Sequence, residues 1–188
     1  TDRQTEKFLA MLAVELARVD GVIIEDYDKG VITQPVVDLV LQIAGKRGIP
    51  VGLDPKEGHQ LDIQGITVAT PNRKEAFGIA GLLDPGAKEN PLADKALLKV
   101  GQILMEKWAA QNLVITLGAQ GMFLMSRGKA PRHVPTRARE VFDVSGAGDT
   151  VIAVVGAMLA VHATMEDAMK LANLAAGIVV VKLGTATA

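Results

Sequence analysis

The hydrophobic and polar positions along the chain follow two periodicities in turn. Apolar residues three or four positions apart predict amphipathic helices, and short runs rich in Val, Ile and Leu predict buried strands. Helices are predicted at 3–18, at 33–48, in a short segment within 71–81, at 92–109 and twice after residue 146, and strands at 21–25, 49–53, 65–70, 112–117 and 121–126. This alternation is typical of α/β proteins with a parallel sheet between two layers of helices. The sequence therefore predicts three layers, and a single domain over residues 1–188, because it contains no repeat or linker.

Polar, Gly and Pro residues mark the ends of several predicted elements. Thr33 is suited to cap the second helix and Gly48 to end it. The Pro, Gly and charged residues of 82–91 indicate a surface insertion. The segment LANLAAGIVVVKLG at 171–184 is ambiguous, because its β-branched run favours a strand whereas its length and small residues favour a helix. We interpret it as a helix.

Composition limits the classes of function. The chain of 188 residues has a formal net charge of −1, so it has no global positive field for nucleic acid or an anionic membrane. It has no cysteine, which excludes disulfides and thiolate metal sites and suits the cytoplasm. No apolar run approaches the length of a membrane span. We expect a cytoplasmic protein that binds neither nucleic acid nor membranes.

The segment DVSGAGDT at 143–150 combines a turn of small residues with a helix start. Gly146, Ala147 and Gly148 have almost no side chain, so an anion could approach the main chain closely. The free N–H groups and the positive end of the helix dipole would then bind a phosphate. The turn is a candidate anion hole.

Asp149 is unexpected beside such a site, because its charge would repel a bound phosphate. The acid is explained if it takes a proton from a nucleophile while the amides hold a transferring phosphoryl group, as in a kinase. The alternative is that Asp149 only stabilises the first turn of a helix. The chain has no G-x-x-x-x-G-K-[ST] motif, so a P-loop is excluded.

Four segments in order carry a resemblance to a known family: TPNRKE, ITLGAQG, DVSGAGDT and LANLAAGIVVVKLGT. They resemble the signatures of the ribokinase (PfkB) family of carbohydrate kinases. EDYDKGVIT and LDPKE make the chain most similar to those members that phosphorylate D-glycero-D-manno-heptose 7-phosphate at C1 for ADP-heptose and lipopolysaccharide core synthesis. The resemblance implies a ribokinase-like fold, ATP as phosphoryl donor, Mg²⁺ as cofactor and a sugar phosphate as acceptor.

The resemblance also implies roles for individual residues. Asp149 matches the family's catalytic base, and the turn at 146–148 matches its anion hole. Asn72 and Glu75 match the pair that orders Mg²⁺, mainly through water. The residues implied to bind ATP are Asn72, Arg73, Lys74, Glu75, Thr116, Gly118, Gly121 and Asn173.

Two further groups follow from the resemblance. Asp143 and Ser145 match positions that hold a monovalent cation such as K⁺ in several members, although this chain has Val144 where Thr is usual. Asp26, Lys29 and Lys56 are expected near the phosphorylated sugar, where lysines could contact its anionic group. His59, His133 and His162 match no ligand spacing, and we expect them at the surface.

The family's first strands, its Gly-Gly signature and its β-lid have no counterpart in this sequence. The chain is therefore expected to correspond to the C-terminal, ATP-side portion of a kinase domain. We expect weak nucleotide binding, poor catalysis and self-association into a homo-oligomer, because the open sheet edge would be uncovered. The alternatives are another PfkB-type sugar kinase, such as a fructokinase or ribokinase, and a noncatalytic nucleotide-binding module.

Overall fold

The computed structural model describes residues 2–59, 61–136 and 146–180. The helices within these ranges are α1 (Asp2–Leu16), α2 (Gln34–Arg47), α3 (Arg73–Ile79), α4 (Lys95–Lys107), α5 (Ala147–Ala160) and α6 (Met165–Val179). The strands are β1 (Val22–Glu25), β2 (Val51–Asp54), β3 (Val68–Ala69), β4 (Asn112–Thr116), β5 (Met122–Ser126) and β6 (Arg132–Val134). All predicted elements are present, and β6 is an additional strand that the sequence pattern did not predict.

The six strands form one sheet in the order β1-β2-β3-β4-β5-β6. The first four strands are parallel to one another, whereas β5 runs antiparallel to both of its neighbours, β4 and β6. The five-residue connection between β4 and β5, residues 117–121, is too short for the crossover that a parallel pair needs, which explains the change of direction. The parallel prediction thus holds for β1 to β4.

Alternate residues of the strands pack on opposite faces of the sheet. Ile24, Leu53 and Phe123 belong to a buried cluster that also contains side chains of α1 to α4. Val68 and Val114 belong to a second cluster with side chains of α5 and α6. Each face is covered by helices because each strand presents apolar residues on both sides. The three-layer α/β prediction is confirmed.

Two element boundaries differ from the sequence prediction. The helix predicted at 92–109 begins at Lys95, because the buried Asp94 accepts hydrogen bonds from the N–H groups of Ala96 and Leu97 and so caps α4. Pro91–Ala93 forms a separate turn of 3-10 helix. The helix prediction for 171–184 is confirmed up to Val179, and residues 181–184 lie outside the described part of the chain.

The carboxyl ends of the four parallel strands point towards one edge of the sheet. Glu25 and Asp54 end β1 and β2, and Thr116 ends β4. Asn72, at the start of α3, is joined to Thr116 by a parallel bridge. In open α/β sheets, ligands bind at this edge. None of the described helices is both long and apolar enough to cross a bilayer.

Candidate active site

The turn before α5 leaves open space above its main chain. Gly146 has the left-handed backbone conformation, with φ of 78°, which glycine adopts without strain. A Cβ atom added at Gly146 or Gly148 would meet no atom within 4 Å. The N–H groups of the first turn of α5 have no acceptor within the helix. The turn can therefore present its amides to an anion.

A cavity of about 440 Å³ lies beside this turn. A cavity of this size can hold a nucleotide-sized ligand. Its lining includes Ala147 and Gly148 of the turn and all but Glu75 of the residues expected to bind ATP: Asn72, Arg73, Lys74, Thr116, Gly118, Gly121 and Asn173. The structure thus brings together four segments that are up to a hundred positions apart in the sequence.

Two of these residues also hold the cavity wall in place. A Cβ atom at Gly121 would lie 2.1 Å from the carbonyl oxygen of Val134, so only glycine allows the main chains to approach here. Asn173 is buried and donates from Nδ2 to the carbonyl oxygen of Pro135 at 2.8 Å. The segment after β6 is therefore fixed from the turn on one side and from α6 on the other.

Asn72 and Glu75 form a reciprocal cap at the start of α3. The Asn72 side chain accepts from the N–H of Glu75, and Glu75 Oε2 accepts from the N–H of Asn72, both at 3.0 Å. Glu75 Oε1 lies 3.6 Å from Lys56 Nζ. Carboxylate and amide oxygens such as these suit Mg²⁺, and each keeps a lone pair for a bound water.

The Arg73 guanidinium is occupied by protein groups. Its Nε and one Nη donate to the two oxygens of Asp84, both at 2.8 Å, and the same Nη reaches the carbonyl oxygen of Gly86. The other Nη lies 3.0 Å from Asp94 Oδ2. The guanidinium centre also lies 4.8 Å from the centre of the Phe77 ring. Arg73 therefore ties α3 to the 82–91 insertion and to the cap of α4.

A second cavity, of about 210 Å³, adjoins the first. Asn72, Thr116 and Gly148 line both. The remaining lining residues of the second cavity are Asp26, Tyr27, Asp54, Pro55, Lys56, Thr70, Glu75 and Asp149. This acceptor cavity, as we call it, thus contains four carboxylates and one ammonium group. Asp149 lines the acceptor cavity alone and directly follows Gly148, which lines both.

Three carboxylates crowd around the α5 N-terminus. Oxygens of Glu25, Asp54 and Asp149 lie within 4.8 Å of one another. Burial raises the pKa of Asp54 to about 7, and the nearby Glu75 carboxylate contributes to this increase. The hydrogen bond that Thr70 donates to Asp54 lowers the pKa but does not outweigh burial. Sequence reasoning missed Glu25 and Asp54. Their signal was present, since each is an acid at the carboxyl end of a parallel strand.

Tyr27 contacts the same group of acids. Its hydroxyl donates to Glu25 Oε1 at 2.9 Å. This hydrogen bond, partial burial and the Asp149 carboxylate raise the pKa of Tyr27 to about 12. The hydroxyl therefore stays protonated in the neutral range and can donate a hydrogen bond near the catalytic candidate.

Asp54→Asn should change how stability depends on pH. The raised pKa of Asp54 means that its contribution to stability is fully present below pH 4 and is lost as pH rises through 7. A pKa of 3.8 in the unfolded chain and about 7 in the folded one corresponds to roughly 4 kcal/mol. We expect urea unfolding to show equal stability of both proteins at pH 4 and a more stable variant at pH 8. Parallel pH curves for Asp54→Asn and for the exposed control Asp20→Asn would contradict this.

Of the three residues expected near the sugar, two line the acceptor cavity. Asp26 and Lys56 line the acceptor cavity, whereas Lys29 is exposed in the loop after β1. Both carboxylate oxygens of Asp26 are used within the protein, by His59 Nδ1 and by the N–H of Asp28. Asp143 and Ser145, the expected K⁺ ligands, lie outside the described residues.

The surface prediction for the histidines is correct only for His162, which is exposed. The His59 side chain is 21% exposed and pairs with Asp26, and His133 is half-buried and contacts the carbonyl oxygen of Gln120 at 2.6 Å. Both have partners from distant parts of the chain. Spacing along the sequence gave no indication of these contacts.

The fold is similar to that of sugar kinases of known structure. Ribokinase of Arabidopsis thaliana, complexed with ribose and ATP, has a TM-score of 0.73 and 21% identity, over 92% of this chain and 54% of that chain. Phosphofructokinase-2 of Escherichia coli, in complex with potassium, has a TM-score of 0.73 and 17% identity, over 95% of this chain and 57% of that chain. Identities this low show the fold alone, which is the ribokinase-like α/β fold.

Sequence comparison shows the family. The pfkB family of carbohydrate kinases matches residues 4–188, and the chain belongs to that family. Bifunctional protein HldE of Pelobacter propionicus is 43% identical over 168 residues, which are 89% of this chain and 33% of HldE. HldE of Geobacter sulfurreducens is 44% identical over 170 residues, 90% of this chain and 33% of HldE. The chain spans about a third of the length of these curated relatives.

Proposed function

We propose that this chain is the ATP-side part of an ATP-dependent sugar kinase that phosphorylates D-glycero-D-manno-heptose 7-phosphate at C1. The observation that carries the proposal is that Gly148 of the turn lines both cavities, with Asp149 next to it in the acceptor cavity. One cavity has the size for a nucleotide, and the other holds the acid that an acceptor hydroxyl requires. The identity to HldE and the EDYDKG and LDPKE segments support a heptose phosphate as acceptor.

In the proposed reaction, the amides at the α5 N-terminus hold the γ-phosphate of ATP. Asp149 takes the proton from the sugar hydroxyl as its oxygen bonds to the γ-phosphorus, and the bond to the bridging oxygen of ADP breaks. Charge that develops on the transferring group is stabilised by groups that are already oriented. Thr116 and Asn72, which line both cavities, keep the two substrates in line.

The acceptor cavity also indicates how charge is balanced. Its four carboxylates face one ammonium group, that of Lys56, so a triphosphate would be repelled without a counter-ion. Asn72 and Glu75 would hold Mg²⁺ largely through water, and the bound ion would neutralise phosphate charge. Lys56 is then the cation of this cavity that can approach the phosphate group of the acceptor.

Titration calorimetry tests the proposal directly. The chain is titrated with a nonhydrolysable ATP analogue and Mg²⁺, and then with heptose 7-phosphate, while ³¹P NMR follows the product formed from ATP. Binding of both ligands and a new C1 phosphate signal would support the kinase. Nucleotide binding without sugar binding would fit an ATP-side part whose sugar site is incomplete, and binding of neither would refute the proposal.

A further inference from the structure

We propose that His59 is a positioning residue for the acceptor side of the site, acting through Asp26 on the loop of residues Asp26–Gly30. This loop, the DYDKG loop, carries Tyr27 into the group of acids around Asp149. The inference rests on the proposed kinase function, because it assigns His59 a part in binding the acceptor. It gives Asp26 a supporting role in place of the direct sugar contact expected from the sequence.

Asp26 has both carboxylate oxygens and its N–H engaged. It is 8% exposed, its Oδ2 pairs with His59 Nδ1, and its Oδ1 accepts from the N–H of Asp28 at 2.9 Å. Its own N–H donates to the carbonyl oxygen of Asp54 at 3.0 Å. A buried carboxyl group left without such partners costs free energy. Without His59, one oxygen of Asp26 would lose its partner and the loop would lose an anchor.

The DYDKG loop needs that anchor because its backbone is unfavourable. Asp28 has φ of 52°, a left-handed conformation that is uncommon for residues other than glycine. The hydrogen bond from its N–H to Asp26 holds this conformation. Tyr27 lies between the two and is 55% exposed, so packing alone does not hold it. Its placement against Glu25 and Asp149 therefore depends on the loop.

His59 comes from a different part of the chain. It lies 33 positions after Asp26, in the connection between β2 and β3 that also carries Lys56. Lys56 contacts Glu75 and lines the acceptor cavity. One connection therefore carries the anchor of the DYDKG loop and the cation of the acceptor cavity. A change at His59 should affect acceptor binding and leave the nucleotide cavity, whose lining does not include it, unchanged.

The test compares His59→Ala with His59→Asn, whose amide can donate from near the position of Nδ1. Hydrogen–deuterium exchange of the Asp28 amide reports on the loop, with the amides of β1 as internal reference for global unfolding. We expect His59→Ala to speed exchange at Asp28 at least tenfold. It should also raise KM for heptose 7-phosphate at least tenfold and leave KM for ATP within twofold. His59→Asn should recover both within threefold, and the exposed control His162→Asn should change neither.

Unchanged exchange at Asp28 in His59→Ala would overturn the inference, as would equal rises of both KM values. Absence of phosphate transfer by the unaltered chain would bear on the proposed function alone, while the exchange measurement would still decide whether His59 positions the loop. The inference would also be contradicted if His59→Asn failed to slow exchange at the Asp28 amide. The effect of His59→Ala would then be explained by the loss of side-chain volume alone.

Discussion

Asp149→Asn should lower kcat for phosphate transfer to heptose 7-phosphate by about 10²–10⁴-fold, the usual contribution of a positioned general base. The substitution keeps the shape of the side chain and the amides of the α5 turn, so the phosphate site is retained. Removing a negative charge beside the γ-phosphate should leave ATP affinity equal or increase it. Steady-state kinetics and a nucleotide titration on the same preparation measure the two effects separately.

Asp167→Asn is the matched control for this variant. Asp167 occupies the third position of α6, as Asp149 does in α5, and it also lies in the first turn of its helix. If Asp149 acted only on the helix dipole, both variants would lose less than about 1 kcal/mol of stability and neither would lose activity. Near-normal turnover in Asp149→Asn would show that Asp149 only stabilises the first turn of α5 and is not the general base.

Arg73→Ala should lower the free energy of unfolding by about 3–5 kcal/mol, as expected when one partner of a buried ion pair is removed. The side chain of Asp94 is only 2% exposed, and without Arg73 its Oδ2 would be left buried with no compensating charge. The pairing of Arg73 with Asp84, which lowers the pKa of that carboxyl, would also be lost. Urea unfolding at pH 7 measures the change.

Two further variants separate this effect from a general loss of charge. Lys74→Ala removes the neighbouring exposed cation and should change stability by no more than about 0.5 kcal/mol. Arg73→Ala combined with Asp94→Asn should recover part of the loss, because the asparagine oxygen can still cap α4 and no buried charge remains. A loss below 1 kcal/mol in Arg73→Ala would show that the ion pairs contribute little.

The fold was largely predictable because periodicity acts locally. The residues on each face of a strand, and those in the apolar stripe of a helix, are determined by periodicity over a few neighbouring positions. The order of the predicted strands and helices therefore implied an α/β sheet with helices on both sides. Strand β6 was missed because RHV has no clear alternation and is held by pairing with β5. The start of α4 was misplaced because the cap at Asp94 interrupts an otherwise continuous helical pattern.

The candidate site was predictable where its residues form contiguous motifs. The turn before Asp149, the TPNRKE segment and the β4–β5 turn are each short segments whose residue types indicate a turn. Glu25, Asp54 and Tyr27 were missed because each is unremarkable within its own segment. They become a group only where the ends of β1 and β2 meet the start of α5.

By itself the sequence determined the layered fold, the family and the segments that meet at the edge of the sheet, since these depend on local pattern and motif order. Only the tertiary structure decided the partners of individual charged groups. It assigned Arg73 to Asp84 and Asp94 rather than leaving it free in the nucleotide cavity, and it paired Asp26 with His59. Buried polar and charged groups pair with whichever complementary groups the packed chain brings within a few ångströms, and that proximity arises from folding rather than from sequence spacing.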